Sequence, residues 1–257
     1  MTPPLPAAFL TVPLAHRALH DVADGRPENS RAAVRAAIAA GYGIEIDLQL
    51  SKDGCAMVFH DYDLDRLAEG SGPVRALTRE ELRAVPLKGG DGEGIPDLGE
   101  VLELVAGQVP LLIELKDQHG EMGLTGGVLE QATVDALCGY DGPVALMSFN
   151  PNSVAELARL APDTARGITT SAYDPSEWPE LPKAVCDDLR AIPDFDRSGS
   201  SFISHEAGDL ARPRVQALRS AGVPVLCWTI RSPAEETAAR AFADNVTFEQ
   251  YLSPLTS

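Results

Sequence analysis

The stretch "YGIEIDLQL", Tyr42 to Leu50, reads as a buried strand that carries two carboxylates, Glu45 and Asp47. Side chains alternate along an extended strand, so these two acids share one face while Ile44, Ile46 and Leu48 share the other. Ionised acids on one enclosed surface repel each other and lose hydration unless a cation or a set of donors offsets both costs. The segment "LLIELK" repeats the arrangement, with Glu114 and Lys116 on one face and Ile113 and Leu115 on the other. Three carboxylates without a cysteine partner suit one hard divalent cation, Mg²⁺ or Ca²⁺, and would also accept Mn²⁺. Taken alone, Glu45 and Asp47 could instead form salt bridges to nearby arginines at a strand end.

Away from these strands, apolar runs alternate with Ala-rich, helix-periodic segments along the whole chain, the pattern of repeated βα units around a parallel sheet. The strand candidates are "AFLTVPLAH", "GIEIDLQL", "CAMVFH", "VPLLIEL", "PVALMSF", "ARGITT", "SFISHE", "PVLCWTI" and "NVTFEQY". Helices are predicted in "SRAAVRAAIAAG", "DLGEVLELVAG", "LTGGVLEQATVDALCG", "PNSVAELARLAP", "RPRVQALRSAG" and "SPAEETAARAFA", several opening on Ser, Asp or Pro and stopping at Gly. At 257 residues, this alternation predicts one domain over residues 1–257, a TIM (β/α)8 barrel rather than a doubly wound open sheet. Nine candidates are one too many for eight barrel strands, and "NVTFEQY" is read as a short closing segment. Asp61 to Gly94 breaks the rhythm, being long and rich in Gly and charge, with one short helical pattern around "TREELRAV". It is expected as an insertion after the third strand, over one end of the barrel.

A formal net charge of −17 opposes binding to nucleic-acid phosphates or to anionic lipid, though one cationic cleft could still take a small phosphorylated substrate. Cys55, Cys138, Cys186 and Cys227 are scattered without a C-x-x-C pair, and three sit in apolar contexts, so neither disulfides nor a zinc site are expected. The N-terminal stretch has no basic start followed by an unbroken apolar core, and no apolar run reaches the ~18 residues of a membrane span. The expected compartment is the cytoplasm, without a stable membrane anchor, and the oligomeric state is left open.

Two histidines fall where strand candidates meet their loops: His16 in "AHR", beside Arg17, and His60 in "FHD", beside Asp61. Catalytic groups of a TIM barrel lie at the C-terminal ends of its strands, so an acid and a base placed there beside carboxylates and a cation suit proton-transfer chemistry. His20, His119 and His205 lack such company and are read as structural or exposed.

In order along the chain, "AHR", "RPENS", "GIEIDLQLSKDG", "MVFHD", "IPDLGEVL", "LLIELK", "MSFNP" and "CWTI" span roughly residues 10 to 230. In this series the chain resembles the glycerophosphodiester phosphodiesterases, a TIM-barrel family related in fold to phosphatidylinositol-specific phospholipases C. The resemblance implies that Glu45, Asp47 and Glu114 hold the divalent cation and that His16 and His60 are general base and acid. It further implies that Arg17 and Lys116 contact the phosphodiester oxygens, and that the substrate is a small glycerophosphodiester cleaved to glycerol 3-phosphate and an alcohol. Water or a glycerol hydroxyl could be the attacking oxygen. Glu28 and Asn29 match a family motif and are given a supporting role, although capping of the following helix by Asn29 or Ser30 also accounts for part of that motif. Trp228 either packs on substrate or belongs to the core. Two alternatives stay open: a catalytically silent barrel that binds phosphorylated glycerol compounds, and an enzyme acting on lysophospholipids or another phosphodiester.

Three departures from the family pattern stand out. Ala18 replaces the usual Gly after "HR", and its methyl would stiffen the loop. The stretch "ALHDVADG" with Arg26 lengthens the connection to "PEN" and could reshape the pocket rim. The acidic "TD" near the C-terminus is replaced by "TFEQY", which puts the end of the barrel in question.

Overall fold

The computed structural model of the protein describes residues 2–255. The strands are β1 (Leu14–Ala15), β2 (Gly43–Leu50), β3 (Ala56–Val58), β4 (Leu111–Leu115), β5 (Val144–Ser148), β6 (Ala165–Thr170), β7 (Phe202–Glu206), β8 (Val225–Ile230) and β9 (Asn245–Phe248). Eight of them run parallel, and β1 pairs with both β2 and β9, which closes the sheet into a TIM barrel. The strand outside the barrel is β3, within "CAMVFH", not one of the terminal segments. It pairs antiparallel with the end of β2, Leu48 opposite Val58 and Leu50 opposite Ala56. The segment "NVTFEQY" is a full member of the barrel, as β9. Periodicity could not separate these two cases, because a short apolar run says nothing about its direction.

The helices are α1 (Ala8–Thr11), α2 (Arg31–Ala40), α3 (Arg79–Ala84), α4 (Leu98–Val105), α5 (Val128–Ala136), α6 (Pro151–Leu160), α7 (Lys183–Arg190), α8 (Pro213–Ser220) and α9 (Pro233–Ala239). The Ser30 side chain caps α2 by accepting from the Ala33 N–H, and Gly41 ends it in the left-handed conformation. Asp97 and Glu100 form a capping box on α4. The predicted strand "AFLTVPLAH" is corrected: its first half is α1, and only Leu14–Ala15 is extended. Helix α1 buries Phe9 with Leu5, Leu14, Leu112, Phe202 and Leu226 as an apolar floor to the barrel. Helix α7 was not predicted, since four charges in the eight residues "KAVCDDLR" leave only Cys186 and Leu189 to bury.

The alternation read from "GIEIDLQL" is realised. Ile44, Ile46 and Leu48 pack outward against the helices in the main core, and Asp47 lies in register with Glu114 on β4. The interior is therefore apolar at the N-terminal end of the strands and charged at the C-terminal end. Residues 61–94 carry α3, and Leu64, Val74, Leu82 and Leu87 form a separate apolar cluster with Met57 and Phe59. All four cysteines are free, and two of them, Cys186 and Cys227, are buried, one fewer than their contexts suggested. Among the described residues no helix is long and apolar enough to cross a membrane.

One inner-wall position has no room for a side chain. A Cβ on Gly167 would lie 2.5 Å from the Phe202 carbonyl oxygen and 2.6 Å from its ring. Gly167→Ala is expected to destabilise the fold by about 1–3 kcal/mol, measured by urea denaturation; an unchanged midpoint would show that the floor is loosely packed.

Candidate active site

The carboxyl ends of the strands bring His16, Arg17, Glu45, Asp47, His60, Glu114 and Lys116 around one cavity of about 160 Å³, which Trp228 and Phe149 also line. Thus seven of the ten sequence-predicted site residues share a single cleft with Trp228. The other two, Glu28 and Asn29, stand behind it. Although β3 is not a barrel strand, its antiparallel course turns the chain back toward the barrel mouth. The Phe59 N–H donates to the Asp47 carbonyl, and His60 follows beside the acids.

Asp47 is the centre of the cluster. It accepts from Lys116 Nζ at 2.7 Å and from the Asn29 amide at 2.9 Å, and Arg17 Nε lies 3.6 Å away. Burial alone would raise its pKa, but Lys116, His60, Arg17 and His16 outweigh burial and hold its carboxyl well below the usual range. Lys116 also donates to Glu114 at 2.5 Å. Burial pulls the Lys116 ammonium down, and the two carboxylates it bridges more than reverse this, so it stays charged. The alternative reading of Asp47 as a salt-bridged acid is thus realised together with the convergence of the acids. Glu45 fares differently. It accepts the Arg17 backbone N–H at 2.9 Å, and burial, with Asp47 and Glu114 close by, pushes its carboxyl well above the ordinary value.

That upward push tests whether a cation belongs here. Ligand oxygens of Glu45, Asp47 and Glu114 lie within 4.8 Å of one another, all three residues are buried, and the donor set is oxygen only. Even with Lys116 in place the trio is short of positive charge, so the residues fit a hard divalent ion. His16, His20 and Glu249 also offer ligand atoms within 4.8 Å of one another; His16 and Glu249 are hydrogen-bonded, while His20 Nε2 lies 3.4 Å from Glu249 without a hydrogen bond.

Each histidine leans on a carboxylate. His16 Nδ1 donates to Glu249 Oε2 at 2.7 Å, and His60 Nδ1 donates to Asp61 Oδ1 at 2.7 Å. An ionised carboxylate only accepts, so Nδ1 carries the proton and a neutral ring keeps its lone pair on Nε2. Burial lowers the His16 pKa to about 4, against the opposing pull of Glu249, so the ring is neutral at ordinary pH. Glu249 accepts from Arg231 Nε at 2.8 Å, and His20 Nε2 lies 3.4 Å from it. Burial would raise its pKa, and the two histidines with Arg231 hold it far below. On the other side, Arg66 donates to Asp61 at 2.7 Å and to Glu28 at 3.0 Å, while Glu28 accepts from Arg17 at 2.6 Å. Glu28 therefore links the cations of both flanks.

Sequence reasoning placed no role on Glu249, Asp61, Arg66 or Phe149. Asp61 follows His60 directly, and Glu249 lies two residues beyond Thr247, a spacing that puts both on the inner face of an extended segment. Those signals were present, whereas Arg66 depends on how the insertion folds. The departure "TFEQY" thus supplies an acid rather than losing one. Ala18 adopts the left-handed region, φ +64°, with Arg17 at +52° and Asn29 at +58°, so the loop keeps a conformation that favours glycine. Trp228 lines the cleft with its indole N–H donating to the Ser204 carbonyl at 3.1 Å, rather than lying in the core. His205 is fully buried and bonded to Thr170 at 2.8 Å, His119 is exposed, and His20 alone of these three stands beside the site.

The chain is similar to a glycerophosphodiester phosphodiesterase of Caldanaerobacter subterraneus subsp. tengcongensis, 35% identical over 150 residues, which are 55% of this chain and 60% of the relative. A glycerophosphodiester phosphodiesterase of Bacillus altitudinis is 34% identical over 158 residues, 56% of this chain and 61% of the relative. The chain thus spans about three fifths of the length of these curated relatives. Among solved structures, an Oleispira antarctica phosphodiesterase in complex with its product sn-glycerol-3-phosphate superposes with a TM-score of 0.74, at 27% identity over 94% of each chain. From the first histidine of the cleft to the strand that closes the barrel, residues 16–248 match the model of the glycerophosphoryl diester phosphodiesterase family, and the chain belongs to that family.

Proposed function

We propose that the protein hydrolyses glycerophosphodiesters to glycerol 3-phosphate and an alcohol, with His16 as general base and His60 as general acid. The observation that carries this reading is the convergence of two carboxylate-backed imidazoles on one cleft whose floor holds three acids and two cations. His16, neutral and with Nε2 free, takes the proton of the attacking oxygen, which is either water, giving glycerol 3-phosphate directly, or a glycerol hydroxyl, giving a cyclic phosphate that water then opens. His60, backed by Asp61, gives a proton to the departing alcohol oxygen, which would otherwise leave as a poor alkoxide. Arg17 and Lys116 neutralise the phosphoryl oxygens as charge builds on them. Glu45, Asp47 and Glu114 would hold one Mg²⁺, Ca²⁺ or Mn²⁺ ion, which when bound polarises the phosphoryl group. The product-bound Oleispira protein supports a glycerol phosphate site in this fold, and the intact set of charged groups favours an enzyme over a silent binding barrel.

Assays of a panel of glycerophosphodiesters, each with and without chelator, test this. Turnover is expected to fall about tenfold to a hundredfold in chelator, with Arg17 and Lys116 still neutralising the phosphate, and to return with added divalent ion. Binding of the panel without hydrolysis under any ion would favour the silent barrel.

A further inference from the structure

A cluster of two imidazoles and one carboxylate stands on the His16 side of the cleft, apart from the acid trio. Glu249 Oε2 lies 2.7 Å from His16 Nδ1 and 3.4 Å from His20 Nε2, and the ligand atoms of the three residues lie within 4.8 Å of one another. The other oxygen of that carboxylate, Oε1, accepts from Arg231, so Oε2 is the one turned to both rings. His20 Nε2 is buried from solvent yet has no hydrogen-bond partner, and a buried polar atom left without one costs free energy. The loop that places it is well tied. The His20 N–H donates to the Ala18 carbonyl at 2.9 Å, and Asp21 and Arg26 exchange both backbone hydrogen bonds, at 2.8 and 2.9 Å. His20 belongs to the long "ALHDVADG" connection and Glu249 to "TFEQY", so two departures from the family pattern meet at one point. A cavity of about 540 Å³, lined by His20, Asp21, Arg26 and Glu249, opens beside them.

We propose that His16, His20 and Glu249 form a second metal site, selective for a borderline transition ion such as Zn²⁺, and that its occupation switches the enzyme off. The switch, though not the site, rests on the reading of His16 as general base. Two imidazole nitrogens and a carboxylate oxygen are a zinc donor set, whereas the all-oxygen trio suits hard ions. A tetrahedral Zn²⁺ with bonds of about 2.0–2.1 Å holds its ligand atoms roughly 3.3 Å apart. His20 and Glu249 already stand at that separation, and the pair of His16 and Glu249 has only to open by about half an ångström. The site uses no cysteine, which is why the scattered cysteines gave no sign of it. An ion at His16 Nδ1 takes the nitrogen that carries the proton. That proton is released, Nε2 takes one up, and the ring stays neutral with no lone pair left toward the cleft to receive a proton from the attacking oxygen. The net charge of −17 draws cations from a distance, while Arg231 on Glu249 and Arg17 near His16 oppose one at the site, so binding is expected to be reversible.

Zinc titrated by calorimetry into protein saturated with Mg²⁺ tests the site. Wild type is expected to bind one Zn²⁺ that Glu114→Gln leaves in place and that His20→Asn weakens by about tenfold to a hundredfold. Under the same Mg²⁺, turnover of a glycerophosphodiester should fall as the ion binds. The inhibiting concentration should rise by about tenfold or more in His20→Asn, each protein being compared with its own zinc-free rate. Nitrogen NMR of the wild-type imidazoles needs no substitution, and zinc should shift Nε2 of one ring and Nδ1 of another. No zinc binding, binding untouched in His20→Asn or lost in Glu114→Gln, or imidazole spectra unmoved by zinc overturns the site. Binding there with turnover unimpaired overturns the switch. Absence of turnover on every ester removes the proposed reaction and the switch with it, while calorimetry and NMR still decide the site.

Discussion

His16→Ala is expected to lower kcat/KM for glycerophosphodiesters by about 10²–10⁴-fold, the range lost when a positioned general base is removed. His16 stands at the end of β1, its backbone N–H donating to the Phe248 carbonyl, and that bond survives truncation of the side chain. Glu249, left behind, keeps its bond to Arg231, so no unpaired charge is stranded and the fold should hold. Arg17 and Lys116, proposed to neutralise the phosphoryl oxygens rather than to transfer protons, remain in place. The loss should therefore fall on kcat more than on KM. Steady-state kinetics beside a thermal melt check this: turnover within threefold of wild type would remove the imidazole from the chemistry, and a collapsed melt would shift the role to folding.

Most of the barrel and of the cleft was legible in the sequence, for one physical reason. A strand enclosed on both faces tolerates a charged side chain only if something answers the charge, so Glu45, Asp47 and Glu114 stand out against their apolar neighbours. The same logic fails for β3. Its "CAMVF" run is as apolar as a barrel strand, and only the turn after Leu50 sends it antiparallel. Helix α1 was missed because Phe9 and Leu10 suit a strand as well as a turn of helix, and the need for a plug under the barrel floor appears only once the barrel is closed. The carboxylate partners of the histidines divide in the same way. Asp61 is adjacent in sequence, while Glu249 lies 233 residues from His16 and meets it only because β9 pairs with β1.

That long-range contact carries the second large effect. Glu249→Gln is expected to lower the plateau of kcat/KM by on the order of 10²–10³-fold, because the tautomer and the charge partner of the base are lost together. With glutamate, Nδ1–H is fixed toward the carboxylate and the imidazolium formed on proton uptake is stabilised. A glutamine amide can instead donate to Nδ1, which moves the lone pair away from the cleft, and it offers no charge to the protonated ring. The pH profile separates this role from mere packing. Burial already sets the His16 pKa to about 4, and the Glu249 carboxylate acts against burial by raising it. The base must be neutral to work, so activity rises as pH passes upward through that value. Removing the carboxylate removes a raising influence, the pKa falls further, and the acid limb of kcat/KM moves to lower pH while the plateau drops. Glu249→Asp, which keeps the charge but shortens the reach, should restore the position of the limb more fully than the height of the plateau. A lowered plateau with the limb unmoved in Glu249→Gln would mean that the carboxylate supports the barrel rim and does not act through His16.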